Sequence, residues 1–190
     1  IMTANDNIDE LGLTLGAICD HGLSVLPVTQ EMCSGYDLSQ TNTTQAVTVS
    51  FRGKSTTFNI AVVNPMPFVD VSKGTWFYPY VETVYYNDLM TGKDAAHFAP
   101  GEKLARAQFA TILYRMEGEP DVDISSNFAD VPSNIWYTDA VLWANSIGVV
   151  NGYSSTGLFG PNDPINREQM AVMLYRYAKY AECDTDKTAK

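Results

Sequence analysis

The sequence predicts an α+β chain of more than one domain: an all-β sandwich at the N-terminus, then an all-α bundle of helical repeats. Three observations lead there. From Val47 to Val62, apolar and polar side chains alternate on both sides of a glycine turn, the period of two that marks strands with one buried face. From Phe68 onward the chain repeats itself at a spacing of 60 to 61 residues, as stacked supersecondary units do. Within the copies, apolar residues fall at 109, 112, 113 and 116, then at 170, 173, 174 and 177, the stripe of a helix that buries one face.

The β-domain is assigned to residues 1–64. Leu11, Leu13, Leu15 and Ala17 alternate up to a turn at Asp20-His21-Gly22. Val47, Val49 and Phe51 then lead into Arg52-Gly53-Lys54, and Phe58, Ile60 and Val62 lead out, which is a hairpin with one apolar face. Several short strands at this spacing predict a sandwich. So short a stretch also predicts that its first strand is missing.

The repeats are assigned to residues 67–124 and 125–182, joined through GEPDVDISSN (118–127). Phe68, Asp70 and Val71 recur as Phe128, Asp130 and Val131; Trp76 recurs as Trp136 and Gly92 as Gly152. One extra residue then shifts the register, so that Phe98, Pro100, Arg106 and Gln108 recur as Phe159, Pro161, Arg167 and Gln169. Each copy reads as helix, loop, helix. The first helices are expected near 78–88 and 137–147, with Gly92 and Gly152 as stop signals. The second helices open well in one copy and poorly in the other. Asn166 with Gln169 forms a capping box, flanked by an Ile165–Met170 staple, whereas Ala105 is a weak cap expected to cost about 1 kcal/mol.

Composition excludes several classes. Net charge is −10, so direct binding to nucleic acid or to an anionic membrane, which needs a basic face, is not expected. No apolar run reaches the roughly 18–20 residues of a membrane span. The opening IMTANDNIDELGL has no basic n-region and begins in mid-element, as a piece of a longer protein would. Cys19, Cys33 and Cys183 match no zinc spacing; they read as isolated thiols or as a Cys19–Cys33 pair. The only histidines, His21 and His97, have no nucleophile motif beside them, and no catalytic or phosphate-loop signature is present. The Asp-rich loops lack the ligand order of a calcium loop. Neither catalysis nor a metal or other cofactor is expected.

The order Phe-x-Asp, Trp, Gly, Phe-x-Pro, Arg-x-Gln over residues 67–180 resembles S-layer homology modules. The stretch GYDLSQTNTTQAVTVSFRGKSTTFNIAVV (35–63) is similar to bacterial immunoglobulin-like domains, which would make the sandwich an immunoglobulin-like one. The resemblance implies an extracellular protein of the bacterial cell surface. Its modules, typically three in a three-pronged helical bundle, hold it non-covalently on cell-wall polysaccharide that often carries acidic pyruvyl groups. The family signature Thr-Arg-Ala-Glu stands here as Ala105-Arg106-Ala107-Gln108 and Asn166-Arg167-Glu168-Gln169. Only two copies are visible, so a further repeat or a second copy of the chain is a candidate partner beside the glycan.

Arg106 and Arg167 are the first candidates for ligand contact. A cation at the first helical position opposes the helix dipole, but free N–H groups and a guanidinium fork together suit a carboxylate. The structural alternative is an ion pair with Asp70 or Asp130, or with the loop acids Asp94 and Asp163. Gln108, Gln169, Trp76, Trp136 and Lys93 are secondary candidates. For the tryptophans the alternative is a core position, and for Lys93 plain solvation. The expected function is anchoring to acidic wall polysaccharide. The competing reading is a surface protein whose repeats pack against other proteins.

Overall fold

The computed structural model describes residues 1–19, 22–123 and 128–183 and divides into two compact units, Ile1–Met66 and Pro67–Lys190. The Asp20-His21 turn, the side chain of Cys19 and residues 124–127 of the linker lie outside the described residues.

In the first unit, β1 (Thr14–Cys19) pairs antiparallel with β2 (Gly22–Pro27), and β3 (Cys33–Ser34), β4 (Thr43–Phe51) and β5 (Lys54–Val62) form a separate sheet in that order. The β4–β5 register sets Val47 opposite Phe58 and Gln45 opposite Ile60. Arg52 and Gly53 both have positive φ, +47° and +76°, the geometry of a tight two-residue hairpin turn. Val47, Val49, Ile60 and Val62 are buried with Met2, Ile8 and Val28, and Leu11, Leu13 and Leu15 pack on that cluster. Each fully buried side chain of this kind contributes about 1.5–3 kcal/mol.

This is not an immunoglobulin-like sandwich. A sandwich needs two sheets that each bury an inner face. Here the second sheet is a lone hairpin, and Ile18, Leu23 and Val25 point to solvent. Met2 instead runs parallel beside Val62, and short 3-10 turns at Ile8–Leu11 and Gln30–Met32 cover the core. Alternation revealed one apolar face per strand but not a partner sheet for it. Cys33 is a free thiol; the alternative of a Cys19–Cys33 pair involves a side chain outside the described residues.

In the second unit the helices are α1 (Tyr78–Tyr86), α2 (Arg106–Met116), α3 (Thr138–Ser146) and α4 (Arg167–Tyr180). They do not form the expected all-α bundle. The helices are short, and α2 against α3 is the closely packed pair. Ordered loops supply much of the remaining core, with Phe128, Val149, Val150 and Phe159 in one cluster with Leu113 and Met173. α1 and α3 end earlier than expected, and not at Gly92 or Gly152. The stops are Asp88 (φ +56°) and Gly148 (φ +75°). Leu89 N–H donates to Val84 O and Val149 N–H to Ala144 O, so a left-handed residue reverses the chain at each helix end. The later glycines serve packing. A Cβ on Gly92 would lie 2.5 Å from the Phe68 ring, and one on Gly152 2.7 Å from the Phe128 ring.

The recurring Phe-x-Asp explains how such loops hold their shape. Asp70 accepts the backbone N–H groups of Phe98 (2.9 Å) and Ala99 (2.8 Å), and Asp130 those of Phe159 (2.9 Å) and Gly160 (2.7 Å). Ala99 and Gly160 both take positive φ, so each carboxylate caps the same bend. The N–H of Phe98 is the largest influence lowering the Asp70 pKa from its ordinary value.

Among the described residues, the most deeply buried charged side chain between the repeats is an arginine. Arg106, at the start of α2, crosses into the second repeat and is 5% exposed. Its Nε donates to Phe159 O (2.9 Å) and its Nη2 to Asn151 O (3.4 Å). The guanidinium lies over the rings of Tyr153 (4.7 Å) and Phe159 (4.9 Å). The poorly capped helix start is met by the same loop: the N–H groups of Arg106 and Ala107 donate to Asp163 O (2.9 Å) and Pro161 O (3.1 Å). At the far end of the junction, Tyr177 donates to Glu117 (2.7 Å), and burial first, then this bond, pushes the phenol up to about 12.

Two predictions follow from these contacts. Arg106→Ala leaves two carbonyls unmet and strips a cation from two rings, a loss of roughly 2–4 kcal/mol; urea unfolding of the repeat unit should show it, and an unchanged midpoint would contradict this seat. Asp70→Asn keeps the shape of the side chain but not its charge. The Asp70 pKa is lowered in the fold, so its contribution is present above the ordinary carboxylate value and fades as pH falls through the folded value. The gap in Tm between the wild type and Asp70→Asn should therefore be open at pH 7 and close in strong acid.

Candidate functional site

Each repeat forms a cleft between the end of its first helix and its second helix, and the two clefts use equivalent positions. The first, about 600 Å³, is lined by Gly92, Lys93, Phe98, Gln108, Arg115 and Trp136, among others. The second, about 470 Å³, is lined by Gly152, Tyr153, Gln169, Arg176, Glu168 and Arg106. The repeat spacing relates Lys93 to Tyr153, Gln108 to Gln169 and Arg115 to Arg176.

The differences come from neighbouring repeats. The first cleft receives Trp136 from the following repeat, and the second receives Arg106 from the preceding one. The first cleft therefore has a tryptophan and no donated arginine, and the second the converse.

Of the residues singled out from the sequence, the structure thus gathers Lys93, Gln108 and Trp136 at one cleft and Arg106 with Gln169 at the other. Arg167 and Trp76 line neither. Arg167 is exposed at the first position of α4, and its guanidinium has no partner among the described residues. Trp76 is 83% exposed and Trp136 63%. Each stands edge-on to the next aromatic, Phe77 or Tyr137. Neither occupies the core position that a tryptophan beside a helix start suggested.

Gln108 and Gln169 have local work. The side-chain oxygen of Gln108 accepts Ala105 N–H (2.8 Å), and that of Gln169 accepts Asn166 N–H (3.3 Å). Asn166 returns the bond by accepting Gln169 N–H (2.8 Å), which completes the capping box that Ala105 cannot. The arginines do not pair with Asp70 or Asp130, whose oxygens hold the loops. Asp94 bonds His97 and Asp163 accepts the Tyr153 hydroxyl.

The first cleft is cationic in a chain of net charge −10. Lys93 is ion-paired with Glu102 at its rim. Lys103 is exposed, with no ion pair among the described residues. Arg115 reaches Leu89 O (3.4 Å) and Glu119 (3.3 Å). Sequence reasoning passed over Lys103 and Arg115. For Arg115 a signal existed: it recurs as Arg176, which reaches Val149 O (3.5 Å) in the same way. For Lys103, whose counterpart is Pro164, none did. The seat of Arg106 was also hidden, because it is built from main-chain carbonyls.

A cationic cleft walled by an exposed indole can accept a ligand with an anionic group and a flat or ring-shaped apolar face. Among the described residues, no cluster of His, Cys, Asp and Glu could hold a metal, and no helix is long and apolar enough to cross a membrane.

Comparison with known proteins gives the repeats their family. The S-layer homology domain model matches residues 67–110 and 127–171. An endoglucanase of Bacillus sp. strain KSM-635 is 36% identical over 119 residues, which are 63% of this chain and 12% of that enzyme. The surface-layer 125 kDa protein of Lysinibacillus sphaericus is 33% identical over 57% of this chain and 10% of its own. The S-layer protein sap of Bacillus anthracis is 32% identical over 56% of this chain and 13% of its own. The chain thus spans about a tenth of the length of these relatives. The domain is a non-catalytic anchoring module, and the match to the endoglucanase falls on a small share of that enzyme. The family match begins at residue 67 and gives no immunoglobulin-like domain ahead of the repeats. The chain carries two S-layer homology domains, at residues 67–110 and 127–171, and is a protein of the cell surface and cell wall.

Proposed function

We propose that the two repeats attach this protein to an acidic cell-wall polysaccharide, and that the first cleft takes an anionic sugar, such as one bearing a pyruvyl carboxylate. The carrying observation is the meeting of Lys93, Lys103 and Arg115 with the exposed face of Trp136. A sugar ring stacks on the indole while its carboxylate displaces Glu102 from Lys93, exchanging one charged bond for another. Lys103, with no ion pair to break among the described residues, supplies the net gain. Gly92 leaves the cleft floor open to a close approach, since no side chain can stand there.

Arg106 serves the second cleft as a wall. Its hydrogen-bonding partners are neutral carbonyls, so its charge is not cancelled by a carboxylate and raises the positive potential of the second cleft. The competing reading, protein–protein packing by the repeats, draws on a different observation, the exposed apolar face of α4.

The test is co-sedimentation with purified cell-wall sacculi. Binding should vanish when the secondary polysaccharide is removed, and weaken when its pyruvyl groups alone are hydrolysed. Trp136→Ala should reduce affinity about tenfold, a loss near 1.4 kcal/mol. The pair Lys93→Ala and Lys103→Ala should do the same and flatten the salt dependence. Binding that survives polysaccharide removal, or is indifferent to all three substitutions, would sink the reading.

A further inference from the structure

The internal junction leaves an unused copy of each of its two halves. α2 buries Ala110 and Leu113 against the second repeat, whereas their counterparts on α4, Ala171 and Leu174, are exposed, Leu113 at 1% and Leu174 at 45%. On the receiving side, α3 and the turn after it bury Ala144, Val149 and Val150, whereas Val84, Leu89 and Met90 of the first repeat are half-buried. The same residue pattern is thus sealed at the junction and open at both ends of the unit.

The polar contacts are duplicated as well. Arg106 is seated on Asn151 O and Phe159 O, and the equivalent carbonyls of Thr91 and Phe98 accept no hydrogen bond among the described residues. The N–H groups of Arg106 and Ala107 meet Asp163 O and Pro161 O; those of Arg167 and Glu168, on the exposed start of α4, correspond to Glu102 O and Pro100 O. Each cleft also lacks the part that a neighbour gives the other: the first has no donated arginine, the second no donated tryptophan.

We infer that a second copy of this chain docks head to tail, the α4 face and Arg167 of one copy entering the first-repeat cleft region of the next, whose Trp76 closes the second cleft of the former. A single contact fills both vacancies, because Arg167 and Trp76 are the two equivalents that line no cleft of their own. It also covers Val172, Leu174 and Trp76, all exposed in the isolated unit. The seat is not a perfect copy. Tyr80 stands where the second repeat has Ala140, and Lys93 replaces the Tyr153 ring, so the contact is weaker than the internal one. Such a heterologous interface closes into a ring or grows as a filament, according to its rotation.

The inference does not depend on glycan, and its test omits glycan. The purified chain, 20.9 kDa, is followed by sedimentation velocity from about 1 to 200 μM, a range suited to micromolar association. The mass should rise with concentration to a dimer or beyond. Arg167→Ala with Leu174→Glu, both on exposed positions, should hold it at the monomer with an unchanged circular dichroism spectrum. Trp76→Ala with Tyr80→Glu should do the same from the receiving side. Mixed together, the two double variants should form a one-to-one dimer and nothing larger, because each retains the half that the other has lost. A wild type that stays monomeric throughout, association indifferent to either variant, or a mixture that fails to pair would each overturn the proposal. Pairing only with a separately added third S-layer homology repeat would overturn it too, and would give these faces to that repeat.

Discussion

A guanidinium taken out of water must have its donors met, and Arg106 has them met by the main chain of a different repeat. The transfer alone costs several kcal/mol. Two carbonyls and two aromatic faces offset it, the rings contributing about 2 kcal/mol or more when water is excluded. The seat exists only while the 151–159 loop keeps its carbonyls and the Phe159 ring in place. Arg106 therefore reports on the fold of its neighbour, and through it the α2–α3 packing depends on a loop that neither helix contains.

That loop has its own dependence. Its bend is capped by Asp130, which sits just ahead of α3 and accepts two consecutive N–H groups. Phe128 presses on Gly152, where no side chain would fit. Charge, ring and glycine thus act on the same turn from three positions far apart in sequence. An irregular segment held in this way can carry a cleft with a defined shape, which a loop of the same length without such ties could not. The price is a fold with few long helices, and it explains why the bundle expected from periodicity is not what forms.

Much of this was legible, though unevenly. The hairpin turn at Arg52-Gly53, the amphipathic second helices and the capping box at Asn166 are local features, and local rules find them. The repeat was visible because Phe68, Asp70, Trp76 and Arg106 recur in register, but recurrence does not say what each residue touches. The arginines were read as carboxylate partners, and Arg106 chose carbonyls, to which side-chain complementarity is blind. The tryptophans looked like core because helix starts are often buried, yet each stands at a repeat edge. The sandwich failed for a related reason: alternation in Leu11–Ala17 and Val47–Val62 records which side is apolar, and not which element covers it. In each case the missing information lay in what a neighbouring element supplies.

Identical residues in unlike surroundings are the sharpest expression of that point. Leu113 and Leu174 occupy the same place in the same phrase, one sealed and the other at the surface. Arg106 and Arg167 differ in the same sense. A single repeat carries both a donor face and an acceptor face, so a row of repeats leaves one of each unmatched unless it closes on itself. Apolar faces left open in this way carry a risk of association. The composition of this chain bears on that risk: a net charge of −10 opposes indiscriminate collapse of one copy on another, while the local cations of the first cleft and the bare guanidinium of Arg167 leave specific contacts available. Long-range repulsion with short-range complementarity is the combination that permits an ordered array on a surface and disfavours an aggregate in solution.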